Sequence, residues 1–241
     1  MTPSISKREY IRWLPDKPSE PTSTIVVTSP ENRFVDVRIL KAVADVAPGV
    51  QTFDSLDWAF AGISSSTINP PNVDNEGPLM HSIWTHLVDS KYSNVKHVSD
   101  EGDMYPLSDN RTLEKGSMAN PTTGKVTEYE ELWSDEEIES QRDDGKIESV
   151  ALTLESDRAQ GMVIRVGQYC QGVLRVGEHH FVVERWAWEK RNGWRRDVRM
   201  GDLFVPCGVA IESRDLVIGG KVTFGDYEWA VVEYSSSTIL Y

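Results

Sequence analysis

One stretch limits the folds open to this chain more than any other: Gly161 to Leu174, GMVIRVGQYCQGVL, with the segment HHFVVERWAWEKRNGWRRDVR close behind it. The first part is β-branched and aromatic, broken by glycines at 161, 167 and 172. Glycine inside a strand pattern marks a bulge or a sharp bend. The second part reaches Asn192-Gly193, the strongest short hairpin signal, because a type I′ turn needs φ > 0 at both central residues. A two-residue loop there pairs Arg191 with Trp194, Glu189 with Arg196, Trp188 with Asp197 and Trp186 with Arg199. A bent strand feeding a long, Trp-rich hairpin describes the wall of a small antiparallel barrel.

The rest of the chain reads the same way. Residues 1–20 suggest an irregular arm or short strand pinned by Trp13. Thr24–Thr28 is a strand, Ser29-Pro30-Glu31-Asn32 a turn, and Phe34–Ile39 a second strand with strict alternation. Asp36 and Arg38 share a face, which reads as the exposed side of a half-buried hairpin. DWAFAG (57–62) is short and apolar, Ser64 to Pro78 is a loop, and HSIWTHLVDSKY is a strand carrying Trp84, His86 and Asp89. Tyr129–Trp133 suggests an amphipathic helical turn. After Gly145 a second all-β pattern runs through the bent strand and hairpin, then LFVPCGVAI, KVTFG and YEWAVVEY. Strands every 8–12 residues with turns between them indicate a barrel or sandwich, without a long helix.

Charge narrows the partners. The net charge of −13 argues against nucleic acid, which needs a basic footprint, and against an anionic membrane surface. From Ser99 to Asp144 there are 14 Asp/Glu against 4 Lys/Arg. That run reads as a solvated connector (residues 111–145) between an amino-terminal unit (1–110) and a carboxy-terminal one (146–241), or as a docking surface for a basic partner. Cys170 and Cys207 cannot build a disulfide framework, and the amino terminus has no signal-peptide pattern, so a reducing, cytoplasmic setting is expected. No stretch approaches the roughly 20 apolar residues of a membrane helix.

DWAFAG, the TEYEELW segment, GMVIRVGQYCQGVL and the closing GKVTFGDYEWAVVEY resemble, in order and spacing, the fungal Hri family. The resemblance runs from about Thr24 to Tyr234. It implies an all-β protein of two lipocalin-like (calycin-type) antiparallel barrels in tandem, joined by the acidic connector, from a fungal source. The family takes its name from interaction with a casein-type kinase. Similar fungal proteins also occur in natural-product pathways, where calycin-like members act as isomerases or cyclases on polyketide or meroterpenoid skeletons. The resemblance carries no catalytic position over to this chain.

The chain has no P-loop, dinucleotide fingerprint, HExxH, CxxC or GxSxG, so no cofactor or metal is expected. What remains is binding a hydrophobic small molecule or moving protons on one. One face of the hairpin carries Glu184, Trp186, Trp188, Asp197 and Arg199. If that face lines a cavity, desolvation raises the pKa of Glu184 and suits it to proton exchange near neutrality. If it faces outward, the complementary face of Phe181, Val183, Arg185 and Ala187 fills the interior. His86 with Asp89, beside Trp84, is the second acid–base candidate. The expected site is therefore Glu184, His86 and Asp89 as catalytic groups, with Trp84, Trp186, Trp188 and Arg199 as substrate-binding groups. Two functions stay open: a cofactor-independent isomerase or cyclase of fungal specialised metabolism, or a non-catalytic protein docking on a kinase or other basic partner.

Overall fold

The computed structural model describes residues 2–41, 52–70, 77, 79–107 and 109–237. Eight antiparallel strands close a barrel in sequence order: β1 (Ser4–Trp13), β2 (Thr22–Thr28), β3 (Arg33–Leu40), β4 (Leu56–Ile68), β5 (Met80–Asp89), β6 (Ser99–Pro106), β7 (Arg111–Ala119) and β8 (Val126–Asp135). Of the two readings of the amino-terminal segment the strand holds, and it is long, ten residues from Ser4 to Trp13. It zips the barrel shut against β8, from Ser6 opposite Asp135 to Trp13 opposite Tyr129. Most of the expected connector is barrel wall too: residues 111–119 and 126–135 are β7 and β8, and Tyr129–Trp133 is extended rather than helical. Its acidity reads as solvation, yet Glu114 and Glu131 point inward to partners. The loop read at Ser64–Pro78 begins later, since β4 continues to Ile68; residues 71–76 and 78 lie outside the described residues.

The barrel is apolar on the outside of one wall and polar within. Along β3, Phe34, Asp36 and Arg38 point into the barrel, while Val35, Val37 and Ile39 point out. Alternation identified the two faces correctly but not which was solvated: Asp36 is 3% exposed and Arg38 7%. The outward face is covered by a second sheet of order β13-β12-β11-β10-β9-β15-β14. Its strands are β9 (Ile147–Glu155), β10 (Ala159–Val166), β11 (Tyr169–Val176), β12 (His180–Glu189), β13 (Gly193–Met200), β14 (Lys221–Phe224) and β15 (Tyr227–Ser237). Ile25, Val27, Val35, Val37, Ala59, Ala61 and Val88 pack on Met162, Ile164, Val173, Val183, Val198 and Met200 in one continuous core. At roughly 25 cal/mol per Å² of apolar surface removed from water, this joint core is the main force holding the halves together.

Where a second closed barrel was expected, β13 and β14 are the unjoined edges of this sheet among the described residues. The stretch read as a bent strand is a tight hairpin. Val166 pairs with Tyr169 across Gly167-Gln168, and Gly167 takes the positive φ (48°) that the turn requires. LFVPCGVAI holds no strand; it supplies α1 (Cys207–Ile211), which lies over β9, β10 and β11. Beneath α1, Leu152, Val163, Leu174, Val182, Cys207, Ala210 and Trp229 form a second core on the far face of the sheet.

Buried polar contacts fix the halves in register. Gln171 Nε2 donates to the Ile25 and Val35 carbonyls at 3.0 and 2.8 Å, and Arg185 Nε donates to Gln171 Oε1 at 2.8 Å. Arg175 Nε donates to the Asp89 carbonyl at 2.9 Å and Nη2 to that of Ser90 at 3.0 Å. These groups are costly to bury and are paired, so they specify one docking geometry rather than adding much net stability.

Candidate functional site

Two cavities enter the barrel from opposite ends and share Arg38, Asp100 and Met118 at its waist. The first, of about 270 Å³, lies among Phe34, Phe60, Trp84, Tyr129 and Trp133 on its flat apolar walls and Asp36, Glu114 and Glu131 on its polar side. Serines at 4, 6, 64, 66 and 82 keep this end wide. The second, of about 360 Å³, opens past Trp58, with Lys91 Nζ seated 4.3 Å above the Trp58 ring.

The waist is an ion cluster assembled from three strands and the segment before β2. Arg38 Nη2 and Nε donate to Asp36 Oδ2 at 2.8 and 3.0 Å, and Nη1 reaches Glu131 at 3.4 Å. Arg8 on β1 pairs with Glu131 on β8, and its Nε donates to Glu20 at 2.8 Å. The guanidinium of Arg38 also lies over Trp58 (5.3 Å) and Phe60 (5.4 Å), which suits a planar, weakly hydrated cation. Asp36 Oδ1 is buried with no hydrogen-bond partner among the described residues.

Glu114 is the group that sequence reasoning missed. It reaches the lumen from β7, accepting hydrogen bonds from Tyr129 Oη (2.8 Å) and Trp133 Nε1 (2.9 Å). Two glycines make its niche. A Cβ on Gly102 would lie 2.8 Å from Glu114 Cγ, and one on Gly116 would lie 2.5 Å from the Tyr129 hydroxyl. Burial, helped by the charge of Glu131, pushes the Glu114 carboxyl up to about 8 against the pull of Tyr129, Arg38 and Trp133. The signal was present in TEYEELW, where Tyr129, Glu131 and Trp133 alternate with Glu130 and Leu132, but an acidic strand whose charges face inward looks like a solvated one.

The expected site residues fall into three places. Trp84 lines the lumen. His86 and Asp89 lie deeper in the same wall: His86 stacks on Phe60 at 4.3 Å, its Nδ1 is 2.6 Å from Asp89 Oδ2, and Nε2 is 3.3 Å from Asp100 Oδ2. Burial disfavours the imidazolium, but Asp100 and Asp89 outweigh it and raise its pKa to about 9. Asp89 also accepts from Trp58 Nε1 at 3.0 Å and from the Lys91 and Tyr92 amides, so this pair holds the second mouth in shape.

Glu184, Trp186 and Arg199 are far from them, on the second sheet under the segment that leads into α1. Glu184 is 2% exposed and accepts from Trp186 Nε1 at 2.8 Å; burial raises its pKa, as expected, but inside a packed layer. The hairpin register differs from expectation. Glu189 pairs with Gly193, giving a three-residue loop, and Trp186 pairs with Arg196; a bulge between Arg185 and Trp186 then sets Glu184 opposite Arg199. Asn192 keeps a negative φ, and only Gly193 (φ 72°) takes the left-handed turn. Arg196 accordingly lies over Trp186 (5.4 Å), while Arg199 lies over Phe204 (4.1 Å). The face of Phe181 and Val183 packs on the barrel. Trp188 pairs with Trp194 beside a separate cavity of about 690 Å³ that includes Arg165 and Arg214.

Comparison with known proteins agrees with this architecture. The family model described as Protein HRI1 matches residues 4–233. A Protein HRI1 from Kluyveromyces lactis is 23% identical over 184 residues, covering 71% of this chain and 73% of the relative. The crystal structure of an uncharacterized protein, YLR301w, from Saccharomyces cerevisiae superposes with a TM-score of 0.73 at 18% identity, covering 98% of this chain and all of the other, and so shares the fold. Among the described residues, no helix is long and apolar enough to cross a membrane.

Proposed function

The chain belongs to the HRI1 family, and from that premise we propose that it binds a small molecule in the lumen of its first barrel. The observation that carries this reading is a hollow of about 270 Å³, where side chains in a solid small barrel would interdigitate. Its size lies near the lower end of ligand pockets, roughly 300–1,000 Å³, and it pairs flat aromatic walls with a few convergent polar groups. The ligand is more polar than the hydrophobic substrate expected from the Trp content, because buried carboxyls line one side. The second sheet is the filled counterpart in a calycin-type pair: two cores occupy its faces, and it braces the barrel through Gln171, Arg175 and Arg185.

The finer reading, a cofactor-independent isomerase or cyclase acting on polyketide or meroterpenoid skeletons, transfers to the same lumen. Glu114 takes the role first given to Glu184: a carboxyl poised near neutrality, contributing about 10²–10⁴-fold by general acid–base catalysis. The docking alternative has less support, because most of the acidic segment it drew on, residues 111–119 and 126–135, is barrel wall.

A fragment screen read by methionine-methyl NMR tests the binding reading. Met80, Met104 and Met118 line the lumen, whereas Met162 and Met200 lie in the joint core. Bound fragments should shift the first three, and Ser66→Phe, which fills the open end, should remove the effect. Fragments that never move the lumen methyls would refute it.

A further inference from the structure

We propose that the lumen is built for an organic cation: a protonated amine on a flat apolar body, its nitrogen facing Asp36 and Glu114. This rests on the reading of the lumen as the ligand site and adds the ligand's charge and shape.

Among the described residues, five carboxyl groups line the cavity, Asp36, Asp100, Glu114, Glu131 and Asp135, against one lining cation, Arg38. Most of this excess is settled internally. Arg38 and Arg8 hold Asp36 Oδ2 and Glu131, Asp100 faces His86, and Ser6 Oγ donates to Asp135 at 2.6 Å. One acceptor position is left over. Asp36 Oδ1 has no donor among the described residues although Asp36 is 3% exposed, while Glu114, whose two oxygens are held by Tyr129 and Trp133, forms no ion pair among the described residues. A buried carboxylate without a donor is costly, so the site is incomplete in one specific sense: it wants a hydrogen-bond donor that brings positive charge.

Each ligand class can be weighed on those terms. An anion would enter beside five carboxyls. A neutral alcohol could satisfy Asp36 Oδ1 but would bring no positive charge to it. An ammonium supplies three donors and a charge, and its body meets Phe34, Phe60, Trp84 and Trp133, whose ring faces attract cations.

Occupancy should be linked to one proton. Glu114 is faced by Tyr129, Glu131 and Trp133 from β8 and by Arg38 from β3; Asp36, Asp100 and Asp135 line the same cavity, and behind them Arg8 pairs with Glu131 and His86 with Asp100. The arriving amine keeps its charge while the Glu114 carboxyl releases its proton to solvent, so net charge in the lumen is conserved. The ionised fraction of a carboxyl titrating at about 8 is about one in a hundred at pH 6 and about half at pH 8, so affinity should rise roughly fiftyfold over that range.

The test uses the full chain and three probes of matched size: benzylamine, benzyl alcohol and benzoate, titrated by methionine-methyl NMR at pH 6, 7 and 8. Benzylamine should shift Met80, Met104 and Met118, bind roughly fiftyfold more tightly at pH 8 than at pH 6, and exceed benzyl alcohol about tenfold. Benzoate should not bind. Glu114→Gln should weaken benzylamine about tenfold at pH 8 and flatten its pH dependence, with unmoved Met162 and Met200 signals showing that the variant is folded. Asp36→Asn should weaken it at every pH. Benzyl alcohol or benzoate binding in the lumen as well as benzylamine would overturn the cation proposal while leaving the lumen as a ligand site. Lumen methyls unmoved by all three would overturn the cation proposal outright, and the broader fragment screen would then decide the binding reading by itself.

Discussion

Replacing Glu114 by Gln should change how stability depends on pH, and the sign is opposite to that of most surface carboxylates. A carboxyl whose pKa is raised in the fold keeps its proton where the unfolded chain has already lost it. Stability is therefore untouched below about pH 4.5 and falls as pH rises towards 8, where the full cost of ionising in place is reached. The gap between 4.5 and about 8, at about 1.4 kcal/mol per pH unit, comes to roughly 5 kcal/mol. Gln cannot ionise, but it offers one acceptor where Glu114 serves both Tyr129 and Trp133, a loss of about 1–2 kcal/mol. The variant should thus be less stable than the parent at about pH 5, equal near pH 6, and more stable by roughly 3 kcal/mol above pH 8. Urea unfolding of both proteins at intervals across that range measures the difference directly. His86 titrates identically in both and cancels. A difference that stays constant with pH would refute the claim that Glu114 is held neutral in the lumen.

Other perturbations separate the parts. Arg38→Ala leaves Asp36 and Glu131 short of their shared cation and should cost about 3–5 kcal/mol, whereas Arg38→Met, which also removes the charge, should fare no better unless Asp36→Leu accompanies it; denaturant midpoints decide. Gly116→Ala should push Tyr129 off Glu114 and cost about 1–3 kcal/mol, visible as a shifted Tyr129 ring signal by NMR. His86 stabilises the fold fully below about pH 6.5 and loses that contribution as pH rises through about 9, so His86→Gln should be most harmful at low pH. Glu184→Gln should leave lumen binding unchanged, because Glu184 lies in the other sheet under the approach to α1; an altered affinity would contradict that separation.

Much of the fold was legible because antiparallel strands announce themselves twice, by alternation and by turns. Phe34–Ile39 and the Asn32 turn read correctly as a strand and its punctuation, and the all-β class followed. The inside of the barrel was harder to see. Alternation gives two faces but not their surroundings, and here Val35, Val37 and Ile39 are buried by a second sheet, not by the barrel's own interior. Asp36, Arg38, Glu114 and Glu131 therefore read as solvated charges, although Arg38 and Glu131 meet across strands distant in sequence, Glu114 meets Tyr129 and Trp133 of the next strand, and Asp36 is held by Arg38 on its own strand. Register was the other weak point. An Asn-Gly pair favours a two-residue loop, yet the Trp188–Trp194 pair and the bulge at Arg185 settle a three-residue one, and this moved Arg199 away from Trp186. Trp84 lines the lumen from a strand flanked by clear sequence signals, whereas Glu114 was hidden by the acidity around it.

The most direct measurement is the difference electron density of crystals soaked with benzylamine at pH 8. Density bounded by Phe34, Trp84, Tyr129 and Trp133, with the nitrogen towards Asp36 and Glu114, is the expected result. An empty lumen with density only beside Trp188 and Trp194, or none in the protein, would contradict the account.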